Sequence, residues 1–444
     1  MKAKVRLLVI LFVCASTVYS FGQINCVPNV TTNLVCELAS TAYLLSPGFD
    51  ENSILPIISN NGNTNSYALS AAIGTQLTQL PIPGSTVGVA SLRQKGSDIG
   101  VPFENLGPIL TDRSDTVGRG HLFVGFSYQH FNFNAIDGQS MKSLPFAVTF
   151  NVTSNATSAG QFYGGEINNV SFQLDQYVGM LTYGVTRRTD ISVIVPFNSV
   201  SMKVETSGFQ EYIGVPNSSG GTVYGVVAGI PTNNTVTTPG SANGVGDVTF
   251  NMKQLLIGGE GDRTAIAAGA SFRIPSGDAL NYLGSGAWGG NAYGLFEYRA
   301  RLTPHLKLSY LWNGVSILAI SNQGTTDRLP GGIQYDAGAD FKILRNLTFA
   351  ADILGSEVIA APSVVLSPIS LPGAGATGSP PSSLPSLTLA INPYTTVNFS
   401  TGLKWSPLPH FLVYGNVTMQ ANNAGLRSDP VPLFGIAYNL KAKR

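Results

Sequence analysis

The sequence predicts an all-β protein: an up-and-down, antiparallel β-barrel that crosses a membrane with about 12 strands (roughly 10 to 14). Three observations lead to this prediction. The chain begins with an export signal, apolar and polar residues alternate from residue 121 onward, and short and long connections alternate between the segments. Successive side chains of a strand point to opposite faces, so alternation with a period of two indicates two-faced strands.

Residues 1–20 have the pattern of a secretory signal peptide. Three basic residues precede an apolar run at 7–13, and small residues lead to Ser20, after which we expect cleavage. The run is too short to span a bilayer, so it directs export. A lipoprotein alternative at Cys14 is disfavoured because the preceding Val13 is bulky.

Composition narrows the class of protein. Only 11% of the 444 residues are charged, and mean hydropathy is +0.17. After the signal, 22 basic residues stand against 24 acidic ones, which gives no basis for nucleic-acid binding. No later run approaches the roughly 18 to 20 apolar residues of a membrane helix. This combination is typical of transmembrane strands, in which only alternate residues are apolar.

Two cysteines, Cys26 and Cys36, remain after removal of the signal. They lie close together in a chain bound for an oxidising compartment, so we expect a disulfide, with two free thiols as the alternative. The four histidines are scattered along the chain. We therefore predict neither a metal site nor a cofactor.

Twelve segments of the chain alternate in the way that strands require. In the fourth, Val248 and Phe250 fall on one face, and Thr249 and Asn251 fall on the other. We expect strands near 121–133, 170–185, 190–204, 244–256, 263–274, 291–302, 306–318, 333–342, 347–359, 395–405, 411–420 and 431–440.

The connections between these segments are alternately short and long. The short ones lie at 186–189, 257–262, 303–305, 343–346 and 406–410. A barrel inserted from the periplasm has tight periplasmic turns and long outer loops, whereas a Greek-key sandwich, the soluble alternative, has no reason to sort its loops. We therefore predict a barrel over residues 121–444 in a bacterial outer membrane.

The apolar faces of the strands must then contact outer-membrane lipid, the first predicted partner. Aromatic residues near strand ends suit an interfacial girdle, although aromatic residues favour strands in general. The girdle residues are Tyr128, Tyr298, Trp312, Trp405 and Tyr438.

The polar faces must line the interior, where charges of both signs need water or partner charges. We expect three arginines on neighbouring strands to oppose aspartates 336, 340 and 352. The sequence leaves open whether these charges line a path or seal the barrel with salt bridges. The lumen-lining candidates are Asp175, Asp247, Lys253, Arg273, Glu297, Arg299, Arg301, Lys307, Asp336, Asp340, Lys342, Asp352 and Lys404.

Residues 21–120 are the least regular part of the chain. We expect a mostly irregular, plug-like segment that closes the lumen from the periplasm. Alternatively, residues 68–80 and a partner within 85–110 form an extra hairpin, which would raise the number of strands to 14.

Three phrases carry a resemblance to a known family: 121–133 (HLFVGFSYQHFNF), 244–250 (GVGDVTF) and 272–278 (FRIPSGD). Through them the chain, over about residues 65 to 440, resembles bacterial outer-membrane transporters of the phenol-degradation (MetA-pathway) type. The resemblance implies a barrel, an outer-membrane location and a transport role. It implies no catalytic residues and no defined substrate.

Two classes of function are consistent with these patterns. The first is an outer-membrane channel or transporter for passive uptake or efflux of small solutes, with hydrophobic or aromatic ones included. The alternative is a structural or surface-interaction barrel with a sealed, salt-bridged interior, whose loops bind a partner or a phage. The chain has no Gly-x-Ser-x-Gly elbow, His-Glu-x-x-His motif or Walker loop, so we predict no enzyme activity.

Overall fold

The fold is seen in a computed structural model. The residues that it describes are 33–37, 69–84, 106, 108–152, 160–216, 222–226, 235–259, 262–320, 326–370, 383–408 and 410–441. The predicted signal peptide and Cys26 lie outside these ranges. Within them, no helix has the length and apolar character needed to cross a membrane.

Strands make up most of the described chain. Residues 69–77 form an α-helix, and short 3-10 turns lie at Leu34–Cys36 and Ala279–Asn281. The strands are β1 His121–Ile136, β2 Gln139–Ser140, β3 Leu144–Val152, β4 Gly160–Gly184, β5 Thr189–Pro216, β6 Thr222–Val226, β7 Val236–Val245, β8 Val248–Ile257, β9 Thr264–Ile274, β10 Gly289–Tyr298, β11 Leu302–Asn313, β12 Val315–Ile320, β13 Thr326–Arg328, β14 Gly332–Leu344, β15 Leu347–Leu366, β16 Ile369–Ser370, β17 Ser383–Leu384, β18 Leu387–Leu408, β19 Phe411–Gln420, β20 Leu426–Ser428 and β21 Val431–Lys441.

The long strands close into one ring. Each pairs antiparallel with the next, and β1 pairs with both β4 and β21. β7 and β8 share one place in the wall, because both pair with β5 on either side of Gly246 and Asp247. The wall therefore has twelve strand positions, which confirms the predicted up-and-down barrel. A closed ring leaves no unpaired strand edge to face lipid.

One predicted turn is wrong. The sequence suggested a turn at 303–305 around Pro304, but the chain reverses at 299–301, and Pro304 lies within β11 opposite Ala339. The Thr303 hydroxyl closes the real turn by donating to the Ala300 carbonyl at 2.9 Å. The shift moves Arg299 and Arg301 from the strands into this turn.

Several strands extend well past their predicted ends. β4 has 25 residues and β5 has 28, whereas a bilayer needs roughly 9 to 11 tilted residues. The extra length lies at the end of the barrel that carries the long connections, called here the long-loop end. A strand that has left the bilayer has no lipid-facing side, so the alternation that reveals it in sequence disappears.

The outer face of the barrel carries an apolar belt. Phe250 is 43% exposed and Trp405 is 50% exposed, and each lies between neighbours that point inward. Exposed aromatic residues occur near both ends of the belt: Tyr298 and Tyr438 are close to the short turns, and Trp312 is close to the long loops. Such a surface is unfavourable in water and suits a bilayer, so the protein is an outer-membrane barrel.

The described parts of the segment before β1 lie inside the barrel. The helix at 69–77 packs against inward-facing residues of β1 and β4, among them Phe131 and Phe172. Residues 108–120 follow the wall near the short turns. This end of the barrel is called here the short-turn end. The described residues 69–80 form a helix and a turn, so they do not form the first strand of the extra hairpin that the sequence allowed.

Two neighbouring substitutions on β8 test the assignment of the faces. Phe250→Lys places a cation in lipid, which costs roughly 2 to 4 kcal/mol near the bilayer midplane. Thr249→Lys is the matched control, because Thr249 lines a cavity inside the barrel. We expect much less folded, heat-modifiable protein from the first variant. Equal yields would contradict the assignment.

Single cysteines test the orientation of the barrel. Cysteines at the exposed positions Asp327 and Asn423, at the long-loop end, should react with an impermeant thiol reagent on intact cells. Those at Arg187 and Arg345, in short turns, should react only after the outer membrane is permeabilised. Labelling of the short-turn cysteines on intact cells would reverse the orientation.

Candidate functional site in the barrel lumen

A cluster of alternating charges joins the N-terminal segment to the wall. Arg113 contacts Asp115 at 2.9 Å and Glu297 of β10 at 3.2 Å. Arg299, in the turn after β10, contacts the other oxygen of Asp115 at 2.5 Å. All four side chains are at most 7% exposed. Two cations and two carboxylates in mutual contact leave no net charge, as burial requires.

Two wall lysines hold the backbone of the same segment. The Lys253 ammonium donates to the Arg113 carbonyl at 2.7 Å and lies 3.8 Å from an Asp112 carboxylate oxygen. The Lys404 ammonium donates to the carbonyls of Leu106, at 2.9 Å, and Pro108. Both lysines are fully buried. Because a buried ammonium must replace its water with acceptors, these carbonyls are needed to keep it inside.

His305 lies between two carboxylates on β11, β14 and β15. Its Nε2 is 2.6 Å from Asp352, and its Nδ1 is 3.4 Å from Asp340. Thr111 of the N-terminal segment donates to Asp352 at 3.4 Å. The two acids use opposite nitrogens of the ring, so the three groups do not converge on one point. Accordingly, no metal-binding group of three or more His, Cys, Asp or Glu occurs in the described ranges.

A cavity of about 250 Å³ remains between the N-terminal segment and the wall. Residues 76–84 form one side, and strands from β4 to β18, with Arg427 of β20, form the other. Arg273 and Asp247 face it as a pair with 3.7 Å between nitrogen and oxygen, and Lys307 and Asp336 form a second pair at 3.6 Å. The Lys307 ammonium also lies 5.5 Å from the centroid of the Tyr293 ring.

Most of the predicted lumen-lining residues have side chains on the inner face of the wall. Most of them form ion pairs or line the cavity, and Lys404 donates to carbonyls of the N-terminal segment. They are Asp247, Lys253, Arg273, Glu297, Arg299, Lys307, Asp336, Asp340, Asp352 and Lys404. Lys342 is partly buried near the end of β14, on the same side of that strand as Asp340.

Asp175 was predicted to face inward, and this is wrong. Leu174 and Gln176 on either side are buried, so Asp175 points outward, where it is 35% exposed. It accepts a hydrogen bond from the Tyr128 hydroxyl at 2.7 Å and lies 2.8 Å from His130 Nδ1. The prediction assumed that a polar residue on a strand faces inward. This assumption holds only where the outer face of the strand contacts lipid.

Arg301 is a second correction. It lies exposed in the turn, with its guanidinium 5.4 Å from the centroid of the Phe341 ring. The three arginines also do not form one patch: Arg273 donates to Asn313 beside the cavity, whereas Arg299 belongs to the cluster at the short turns. The predicted common positive wall is therefore absent from the described lumen.

Sequence reasoning missed several residues of the lumen. Arg113 and Asp115 lie in residues 21–120, for which the sequence predicted no regular structure. His305 was predicted to lie in the turn at 303–305. The sequence did not predict a role for Asp190, whose carboxylate accepts a hydrogen bond from the Val117 amide at 2.9 Å. A signal was present, since residues 112–115 hold three charges in a chain that is only 11% charged.

Cys36 is disulfide-bonded, and its partner lies outside the described residues. The bonded cysteine is 2% exposed and packs with Leu34 in the core formed with the helix at 69–77. The pairing with Cys26 stays a prediction.

Residues 154–340 match the model of a protein family named for the MetA-pathway of phenol degradation. The predicted resemblance is confirmed over that stretch. No curated protein sequence matches the chain.

Three solved structures illustrate the likeness in fold. An outer-membrane channel from Pseudomonas putida F1 is 10% identical, with TM-score 0.40, over 74% of this chain and 98% of the channel. The NanC porin is 10% identical, with TM-score 0.33, over 72% and 100%. A FadL homologue from Pseudomonas aeruginosa is 10% identical, with TM-score 0.27, over 73% and 90%. Likenesses this distant carry no argument about substrate.

The cluster at the short turns generates a stability prediction. Asp115→Asn leaves two buried arginines with Glu297 as their remaining carboxylate, and loss of one partner from a buried pair costs roughly 3 to 5 kcal/mol. The control is Glu205→Gln, because the Lys203–Glu205 pair is 52% and 38% exposed and such surface pairs contribute about 1 kcal/mol or less. Urea unfolding in detergent measures both. Equal effects would mean that the cluster does not stabilise the barrel.

Proposed function

We propose that the protein is a passive outer-membrane channel for small solutes, whose lumen is restricted by its own N-terminal segment. The observation that carries the proposal is the cavity of about 250 Å³ inside the wall. A barrel with a purely structural role does not need an unfilled space of this size beside its buried ion pairs. Cavities for drug-sized ligands measure roughly 300 to 1,000 Å³, so the solutes are smaller than those.

The lining of the cavity supports small amphiphilic solutes. Polar side chains such as Asn251 and Asn398 alternate with apolar ones such as Leu311 and Leu354. Tyr293 adds an aromatic face. The family description refers to phenol degradation, and a small aromatic compound with one polar group suits this mixed lining.

A second function has its own supporting observation. The segment that fills the lumen is joined to the wall by buried ion pairs and by two lysines. If those contacts persist in the membrane, the barrel is sealed. Its role would then be structural, or would lie in the binding of a partner by the long loops.

Swelling of proteoliposomes distinguishes the two functions. We expect the full-length protein to admit arabinose and to exclude the trisaccharide raffinose, because the cavity is small. Arg113→Gln combined with Asp115→Asn removes the anchors of the segment and should raise the rate for both sugars. Lys203→Gln, on the exposed outer surface, is the control and should leave the rates unchanged.

The channel proposal fails if neither the wild-type protein nor the anchor variant admits arabinose, provided that both insert as folded barrels. The sealed-barrel function would then be favoured.

A further inference from the structure

One cation that lines the cavity has no carboxylate partner among the described residues. Arg427 lies on β20 at the long-loop end, is only 5% exposed, and lines the cavity. Its Nε donates to the side-chain oxygen of Gln420 at 3.1 Å, and its Nη2 donates to the Val397 carbonyl at 2.9 Å. Within the part of the chain that the structure describes, no carboxylate pairs with it.

The other cations at the cavity are compensated. Arg273 faces Asp247, and Lys307 faces Asp336. The remaining acid of the lining, Asp112, lies 3.8 Å from the ammonium of Lys253. Arg427 is therefore the cation of the cavity lining that has no ion-pair partner among the described residues.

An uncompensated buried charge is costly, and native structures rarely retain one without a partner. Burial lowers the pKa of Arg427 to about 10, so the guanidinium stays protonated at neutral pH. A guanidinium has five N–H donors, and the two hydrogen bonds of Arg427 leave Nη1 unused. The free donors belong to a side chain that faces the cavity.

The surroundings of Arg427 complete a binding site. Its acceptor Val397 lies between Thr396 and Asn398, and both of these side chains line the cavity. Asn398 makes no side-chain hydrogen bond to any described residue, so its amide is available to a ligand. Leu354, on the neighbouring strand, adds an apolar surface.

We propose that the cavity binds a small organic monocarboxylate, with the carboxylate on Arg427 and the apolar body against Leu354. The planar guanidinium matches the two oxygens of a carboxylate, which a neutral amide or alcohol does not reproduce. The inference rests on the proposed channel function and assigns its substrate class.

Calorimetric titration of the full-length protein in detergent tests this site, with benzoate as the probe and benzamide as its neutral analogue. We expect the wild-type protein to bind benzoate at least tenfold more tightly than benzamide. Arg427→Gln should weaken benzoate binding roughly tenfold or more, since hydrogen bonds to charged groups contribute about 1.5 to 3 kcal/mol. Benzamide binding should be unchanged.

Two further variants control the titration. Arg328→Gln removes an exposed arginine of β13 at the same end of the barrel and should leave benzoate binding unchanged. Arg427→Lys keeps the charge without the planar fork and should bind benzoate with intermediate affinity, which gives a readout if Arg427→Gln does not fold. Heat modifiability reports folding of each variant.

Unchanged benzoate affinity in a folded Arg427 variant overturns the site, and so does equal binding of benzoate and benzamide by the wild-type protein. The channel proposal fails separately: binding of benzoate without permeation of any solute in swelling assays would leave the site standing and remove the channel. Permeation without benzoate binding would leave the channel proposal standing and overturn the binding site.

Discussion

The structure depends on one constraint: inside a bilayer every backbone amide and carbonyl must be paired within the protein. Twelve strand positions meet it by closing on themselves, with β1 bonded to both β4 and β21. Closure turns one face of each strand to lipid and the other to an enclosed space. That space must be filled with protein or water, and its charges must be balanced. The N-terminal segment fills part of it, the ion pairs balance its charges, and the cavity is the part that remains.

The charges inside the barrel follow from the same constraint. Lys404 is fully buried, and carbonyls of the N-terminal segment accept hydrogen bonds from its ammonium in place of water. Arg299 similarly depends on Asp115 of that segment. The wall and the segment therefore neutralise each other, and neither has a balanced interior alone. Arg427 differs from the other cations of the cavity lining, because no described carboxylate pairs with it.

The membrane-spanning part of the fold was predictable from sequence because lipid imposes a strict alternation. Phe250 and Met252 lie outward as expected, and all twelve wall positions were found. The rule fails where lipid no longer acts. Asp175 faces outward near the edge of the belt, and β4 and β5 continue as strands through stretches that read as loops.

The lumen was less predictable, since its contacts join residues far apart in the chain. Nothing local in the sequence says that Asp115 meets Arg299, or that His305 meets Asp352. The turn at 299–301 was predicted at 303–305, whereas Pro304 lies in a strand opposite Ala339. Pairings of this kind are decided by closure of the barrel, which a local pattern does not record.

Enclosure of the N-terminal segment has a consequence for assembly. Residues 108–120 lie inside a ring that is sealed by the pairing of β1 with β21, the first and last strands of the wall. A segment with buried charges does not thread readily through a finished barrel, because its ion pairs would have to cross the interior unsatisfied. Placing the segment before the final seam forms avoids that cost. Closing that seam joins residues more than 300 positions apart, such as His121 and Lys441, which makes it a slow step by contact order. In that order of events, the N-terminal segment is the template around which the last strand docks.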